Sequence, residues 1–325
     1  MLYFHGFGHF HPENVIDNAF LEALDIGTTE QWIKDRVGIE SRRTVLPLDY
    51  VRSTKNQDLR AAQEARLYTN AETSKRAAMM AIERAGIKPS DIGMVFGGTS
   101  SPDYCIPTEA SAVAKELGLE VPAIDISCAC SSFGAHCHFA DQMGASLPDY
   151  VLFVVPENTT RVTNFADRSS AILFGDATAA AVVSTKIPSK VRGTFTRYGS
   201  SPAGALDVVI PRVGHFTQNG SAVQKFAIKR MTELLREIQG RATDAKRVVY
   251  VGHQANLTML NSVAGRCDIA PENHFHNIIE FGNQAAAGAP AVISQRWNDF
   301  RPGDVAAFVV VGSGLSWSSV QIEFT

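Results

Sequence analysis

The pattern of apolar and polar positions divides this chain into alternating strands and helices. Ile92–Phe96 reads as a buried strand ended by Gly97-Gly98, Thr108–Leu117 as a helix, and Ala123–Ser127 as a second strand with alternating faces. Small residues from Ala129 to Ala135 then open a helical pattern carrying Phe133, Cys137, Phe139 and Met143. Upstream, Met1–His9 is a glycine-broken strand and Asn14–Asn18 a turn. Ala19–Val37 carries helix signals, with a cap at Thr29 and a stop at Gly38. Asn70–Ala85 is an amphipathic helix with Ala71, Ala78, Met79 and Ile82 on one side. Downstream, Tyr150–Val155, Ala171–Phe174 and Ala177–Val183 read as strands, 184–214 as weakly structured, and Ala222–Ile238 as a helix.

A second cycle follows. Arg247–Val251 is a strand ending at Gly252-His253, Ala255–Val263 a helix, and His276–Glu280 strand-like. Gly282-Asn283 leads into the helix Gln284–Arg296, and Asp304–Val311 and Leu315–Phe324 close the chain as strands. Gly97 precedes Cys130 by 33 residues and His253 precedes Asn283 by 30, so the spacing predicts a duplicated α/β fold whose equivalent strand ends meet at one site. The expected division is 1–184 for a half bearing the cysteine and 185–325 for a half bearing the histidine and asparagine.

Composition narrows the class. At 325 residues, 45% hydrophobic and a net charge of −3, the chain can bury a large core and gives no support to a nucleic-acid binder. Its first residues lack a basic segment followed by an apolar run, so neither a signal peptide nor a membrane anchor is expected. Five cysteines, an odd number, fit a reduced cytoplasmic protein.

Cys130 is the first candidate nucleophile, because a strand-to-helix junction offers unpaired N–H groups and a helix dipole that favour a thiolate. With equivalent strand ends meeting, Cys130 can be acylated by a thioester while His253 and Asn283 point N–H groups at the oxygen of a second thioester's enolate. The Cys130 amide and the turn Gly312, Ser313 and Gly314 then supply a separate oxyanion hole. Taken singly these residues have plainer readings: Cys128 packs within its strand, His253 caps a helix, and Asn283 occupies a turn. The set Cys128, Cys130, His136, Cys137 and His138 matches no usual zinc spacing, so no metal is expected. A hydrolase triad lacks a local carboxylate behind the histidine. Gly38–Arg43 reads either as a solvated basic edge or, with Trp32, Arg36 and Arg43, as a phosphate contact.

Four stretches carry a family resemblance: AIDISCACSSF around Cys130, VGHQANLTML around His253, EFGNQAAAGAPAV around Asn283, and the closing VVVGSGLSWSSVQIEF. With QWIKDRVGIESRR, GGTSSPDYCIPTEAS, RSSAILFGDATAAAVV and FTQNGSAVQKFA, the chain resembles β-ketoacyl-acyl-carrier-protein synthase III, an initiating condensing enzyme of the thiolase superfamily, over essentially its full length. That resemblance implies a five-layered α-β-α-β-α fold, a homodimer, and a two-step Claisen condensation. It makes Cys130 the acylated residue and His253 and Asn283 the groups that assist decarboxylation of a malonyl-type thioester. No cofactor is bound; the substrates are coenzyme A or phosphopantetheine thioesters, whose arm Trp32, Arg36 and Asn256 border. Ile106, reaching across from the partner subunit, lines the acyl pocket with Cys128 and Ser131. Lys225, with Lys229 and Arg230, faces an acyl carrier protein.

The sequence departs from the family pattern at Thr258, where arginine is frequent, at Ser131-Ser132, where Ala-Gly is usual, and at Cys128 and Gln284. The acyl group and the pathway, fatty-acid initiation or secondary metabolism, are therefore open, with secondary metabolism favoured. Two rival chemistries remain: transfer of the acyl group from Cys130 to an alcohol or amine, and non-decarboxylative condensation, for which Glu109 is the candidate base.

Overall fold

The computed structural model describes the whole chain, Met1–Thr325. Nine strands hydrogen-bond in one series. In chain order they are β1 (Leu2–Phe10), β2 (Ile92–Gly97), β3 (Ala123–Asp125), β4 (Tyr150–Glu157), β5 (Ala177–Ser184), β6 (Val191–Ser200), β7 (Arg247–Gly252), β8 (Asp304–Gly312) and β9 (Ser316–Phe324). Side by side the order is β7-β8-β9-β6-β1-β5-β4-β2-β3. β2 is parallel to β3 and β4, and β5 runs antiparallel between β4 and β1. On the other side β7 is parallel to β8, and β9 runs antiparallel between β8 and β6. The two runs are one motif repeated, and they join where β1 pairs with β6 over Leu2–Phe4 alone.

The helices that form the layers and carry the site are α1 (Glu30–Val37), α2 (Asn70–Ala85), α3 (Glu109–Glu116), α4 (Ser132–Met143), α5 (Gly220–Arg241), α6 (Leu257–Arg266) and α7 (Gly288–Gln295). α4 packs on β6, β9 and β4, and α7 on β1, β5 and β7, so both lie between the half-sheets. α2 and α3 cover the outer face of one half-sheet; α5, with α6 beside it, covers that of the other. The result is the thiolase-like duplicated fold in five layers. Its apolar residues separate accordingly into one core around α4 and α7 and one under each outer helical layer.

Small residues make these layers possible. All eight residues of β5, ATAAAVVS, are buried, which lets helices close on both of its faces. A Cβ on Gly8 would stand 2.0 Å from the carbonyl oxygen of Ala77, and one on Gly6 2.3 Å from that of Ala81, so α2 lies almost directly on the backbone of β1.

Several elements differ from the sequence reading. Asn14–Asp17 is a strand paired with Ser41–Thr44, its Ile16 fully buried, and not a turn. The Ala19–Val37 pattern splits into Asn18–Ala23 and α1, because Asp25 (φ 52°) and Gly27 (φ 76°) turn the chain between them. The Thr29 cap on Trp32 and the left-handed stop at Gly38 are as expected. On α2 the buried side runs through Thr73, Ala77, Ala78, Ala81 and Ile82, and Met79 is exposed. Ala171–Phe174 ends a helical turn capped by Asp167 and is not a strand. Within the region expected to be weakly structured, β6 is a full strand next to the junction of the half-sheets. His276–Glu280 gives way to the helical turn Ile278–Phe281, and the second-cycle strand shrinks to one parallel bridge between Tyr250 and His274.

Replacing Gly8 with alanine should lower stability by about 1–3 kcal/mol or more, since the clash is with backbone that cannot rotate away. Denaturant unfolding measures it; an unchanged midpoint would contradict the close α2–β1 packing.

Candidate active site

Cys130 follows β3 at the start of α4 and is half-buried. Its turn is tight. Ala129 takes a left-handed φ of 49°, the Ser131 N–H donates to the Cys128 carbonyl (3.1 Å), and the Ser132 N–H donates to that of Ala129 (3.0 Å). Both serine hydroxyls staple it. Ser131 Oγ donates to the Cys128 carbonyl (2.7 Å) and meets Ser316 Oγ (2.7 Å); Ser132 Oγ accepts from the Cys128 N–H (2.8 Å) and donates to the Ala129 carbonyl (2.6 Å). No side chain caps α4, so its first-turn N–H dipoles are not offset by a side-chain acceptor. The Gly312–Gly314 turn adjoins: a Cβ on Gly312 would stand 3.0 Å from both the Cys130 and Ser131 amide nitrogens. Ser313 Oγ fastens this turn to the Val208 carbonyl (2.6 Å).

Burial, and after it the Glu157 carboxyl, push the Cys130 thiol well above its ordinary range. Desolvation at this junction therefore opposes the thiolate that the helix dipole favours, and it favours the thiol form of Cys130.

His253 stands at the carboxyl end of β7, its N–H bonded to the Val309 carbonyl (2.9 Å). Burial pushes its imidazole down to about 4, so the ring is neutral at physiological pH and offers one N–H. Asn283 is held by its own backbone, donating to Leu173 O (2.8 Å) and accepting from Gly175 N–H (3.1 Å). Its side-chain oxygen accepts from the Ala285 N–H (2.9 Å), which leaves the amide NH2 as the end on offer. Their sequence neighbours are wired together: Gln254 Oε1 accepts from the Asn277 N–H (3.0 Å), and Gln284 Nε2 donates to Asn277 Oδ1 (2.8 Å). His11 Nε2 reaches Gln284 Oε1 from β1's side at 2.8 Å, so Gln284, one of the departures from the family pattern, is a structural link.

The sequence reading missed two residues. Glu157, fully buried at the end of β4, accepts from the Ser100 N–H (3.0 Å) and the Ala286 N–H (3.3 Å), joining the β2 loop to the turn after Asn283. Arg168 lies over the Trp32 ring at 4.9 Å, while Arg36 lies 5.8 Å from that ring, so Trp32 is flanked by two guanidiniums. The acidic residue ending an apolar strand and the basic residue in DRSS were the available signals.

The remaining candidates divide. The end of α1 packs against Leu257, bringing Trp32 and Arg36 beside the HQANL stretch, where Asn256 Oδ1 caps α6 through the Met259 N–H (2.7 Å). Arg42 is not a solvated edge: it is fully buried and donates to Asn18 Oδ1 and the Ile172 carbonyl, both 2.6 Å. Arg43 lies over Phe281 (5.5 Å), apart from the Trp32 cluster. Ser131 is fully buried and committed to the turn, so its hydroxyl does not face an acyl chain. Cys128 is half-buried beside the Tyr198 hydroxyl; burial raises the Cys128 pKa, and burial with the neighbouring thiol pushes Tyr198 up to about 12. Ile106 is 86% exposed and takes no part in a pocket of its own chain. Lys225 and Lys229 are exposed on α5, whereas Arg230 is engaged over Trp317 (4.1 Å) and with Glu233 (2.8 Å). His136 binds the Gly97 and Ile126 carbonyls and His138 faces Thr196. Glu109 is buried against the Asp103 N–H beside Arg161, and burial pushes it up to about 7.

Two family descriptions match the chain: 3-oxoacyl-[acyl-carrier-protein] synthase III over residues 124–199 and the C-terminal part of the same family over 238–324. A β-ketoacyl-[acyl-carrier-protein] synthase III of Staphylococcus saprophyticus is 32% identical over 98% of this chain and 97% of its own. The solved 3-oxoacyl-[acyl-carrier-protein] synthase III of Aquifex aeolicus superposes with a TM-score of 0.87 at 27% identity, covering 100% of both chains. The priming β-ketosynthase of the R1128 polyketide pathway superposes with a TM-score of 0.82 at 25% identity, over 100% of this chain and 96% of that one.

Because burial favours the thiol form of Cys130, its alkylation by iodoacetamide should be slow at pH 7 and climb without a plateau through pH 9. Peptide mapping separates it from the exposed Cys105; a plateau below pH 7.5 would contradict the raised thiol.

Proposed function

Since this chain belongs to the 3-oxoacyl-[acyl-carrier-protein] synthase III family of thiolase-fold condensing enzymes, we propose that it carries out a decarboxylative Claisen condensation with Cys130 as acyl carrier. The Cys130 thiol adds to an acyl thioester, and the carrier thiol leaves with the proton. A malonyl-type thioester then loses carbon dioxide, its enolate carbon attacks the Cys130 thioester, and the β-ketoacyl thioester departs as the cysteine takes up a proton. Decarboxylation and condensation together consume one proton and release one carbon dioxide.

One observation carries this reading: His253 is a neutral ring, and the Asn283 amide is turned by Ala285 to present its NH2. Two uncharged donors stabilise an enolate oxygen without delivering a proton to its carbon, which would end the reaction before the new bond forms. Acyl transfer to an alcohol needs only one base and one oxyanion hole. Glu109, engaged away from solvent inside the Arg161 cluster, is poorly suited to take an α-proton, which disfavours the non-decarboxylative route.

We further read Trp32, Arg36 and Arg168 as the grip on the coenzyme A or phosphopantetheine arm, with Asn256 nearby, and Lys225 and Lys229 as the charges that face an acidic carrier protein. The oxyanion hole for acylation is assigned to the Cys130 amide and the Gly312, Ser313, Gly314 turn. Residues 1–184 and 185–325 are taken as the repeated halves. A homodimer is supported by the apolar side chains exposed at the β3 edge of the sheet and on α4: Ile124, 39% exposed, Phe139 and Met143. The partner would bring its own copy of the Ile106 loop to the acyl pocket at Cys128. No helix is long and apolar enough to cross a membrane. All five cysteines are unpaired, which suits a reducing, cytoplasmic setting.

Intact-protein mass spectrometry with a panel of acyl thioesters, followed by malonyl-carrier protein, tests the whole scheme. Cys130→Ser should give no thioester adduct. His253→Ala and Asn283→Ala should still acylate while carbon dioxide release falls by about 10²–10³-fold. An adduct that persists until an alcohol or amine is supplied would replace condensation with acyl transfer. Ile124→Lys should shift the sedimenting species from dimer toward monomer; a monomeric parent protein would remove the dimer reading.

A further inference from the structure

We propose that Glu157 is the positioning residue that fixes the Thr99–Ser100 loop and the turn after Asn283 relative to Cys130, and that it does so as a neutral carboxylic acid. The inference rests on the condensing reading for its catalytic consequence but not for its geometry. One Glu157 carboxyl oxygen accepts from the Ala286 N–H (3.3 Å), and both accept from the Ser100 N–H (3.2 and 3.0 Å). Ser100 Oγ lies 3.2 Å and Thr99 Oγ1 3.5 Å from the carboxyl, and either hydroxyl can accept the acid proton. Two segments far apart in sequence, the Thr99–Ser100 loop and the turn at Ala286, therefore converge on one fully buried side chain.

Its neighbours explain the protonation state. Across the sheet Glu157 faces Ala177. The charged residues of the adjoining turns look elsewhere: Arg161 is engaged with Asp103, Asn70 and Ser101, and Asp176 with Thr160 and Val45. His136 on α4 is committed to two backbone carbonyls. No cation forms an ion pair with Glu157, and an unpaired carboxylate without water is costly. Burial accordingly pushes the group up to about 8, against the hydrogen bonds from Ser100, Ala286 and Thr99, and the titratable group that feels its charge is Cys130.

The consequence concerns charge. A neutral acid sets the two turns without placing a negative charge beside Cys130 when the thiolate and the tetrahedral oxyanion form. Above about pH 8 the carboxylate appears and opposes both. Glu157→Gln keeps the acceptor oxygen and replaces the acid O–H with an amide N–H, so it preserves the links and removes the titration. Glu157→Ala removes the links.

The test reads Cys130 alkylation by iodoacetamide, condensation kinetics and thermal stability across pH 6–10. In Glu157→Gln, alkylation at pH 9 should be about ten-fold faster than in the parent, because no carboxylate then opposes the Cys130 thiolate. The ratio of kcat at pH 9 to kcat at pH 7 should also rise. Glu157→Ala should lose at least ten-fold in kcat with little change in KM, and Glu157→Gln should recover most of that loss. Stability gives an independent reading. A carboxyl raised to about 8 on folding from an ordinary value near 4.5 stabilises fully below pH 4.5 and loses that contribution as pH climbs through 8. The Tm of the parent relative to Glu157→Gln should therefore decline between pH 6 and 8. Identical alkylation profiles in parent and Glu157→Gln, or a flat Tm difference, would overturn the neutral acid. A Glu157→Ala enzyme with parental kcat would overturn the positioning role. If no thioester is condensed by the parent while the alkylation and Tm differences appear, the condensing reading fails and the Glu157 assignment stands.

Discussion

Close approach between helix and strand backbones is the constraint on which the rest of this structure depends. A Cβ on Gly134 of α4 would stand 2.0 Å from Ser318 Oγ of β9, and one on Gly288 of α7 would stand 2.9 Å from Cβ of Gln254. These contacts press the helix that follows Cys130 onto one half-sheet, and the helix that follows Asn283 onto the loop of His253. A larger side chain at either position would lift a helix away from its strand, and with it the turn that bears a reacting group. The alanine-rich β5 and the glycines of β1 perform the same service for the outer layer. Precision at the site is thus a packing property before it is a chemical one.

The site assembled in this way contains little net charge. Cys130 is held toward its thiol form, His253 rests as a neutral imidazole, and Glu157 is held toward its acid form, each because burial disfavours the ionised state. Such a site suits a reaction whose intermediates are anions. Fixed dipoles gain strength where water is excluded, while a resident negative charge would repel each anion in turn. Donors are supplied by groups already oriented through their other ends, as with Asn283 and its bond from Ala285. On the condensing reading, little reorganisation is left for the moment of bond cleavage.

The sequence made much of this visible, and the reasons for its gaps are physical. Strands that are apolar on both faces, such as Ile92–Gly97 and Asp304–Gly312, declare themselves without knowledge of partners. Val191–Ser200 did not, because Val191, Phe195 and Tyr198 keep no strict alternation and Gly193 and Gly199 interrupt the segment. Only its neighbours β9 and β1 reveal why it is a strand. Ala171–Phe174 and His276–Glu280 are too short for apolar content to separate strand from helical turn. Cys130, His253 and Asn283 stood out through their positions at repeated strand ends. Glu157 and Arg168 did not, since each acquires its meaning from residues far away in the chain: Ser100 and Ala286 for the first, Trp32 for the second.

The Ser131-Ser132 pair changes how the departures from the family pattern bear on substrate choice. Read from the sequence, two serines beside the nucleophile point to an altered acyl pocket. In the fold both hydroxyls are consumed in closing the Cys130 turn, and Ser131 is further tied to Ser316. Gln284 is likewise consumed, by His11 and Asn277. These differences set the turns around the site. Cys128 is the departure that is half-buried beside Cys130, and its neighbour Tyr198 stands on the edge of the layer where Phe139 is exposed. On the dimer reading, that edge is covered by a second copy, whose Ile106 loop closes the space over Cys128. Choice of acyl group would then be decided jointly by the Cys128–Tyr198 pair and a loop from the other subunit, so selectivity and assembly would be properties of one surface.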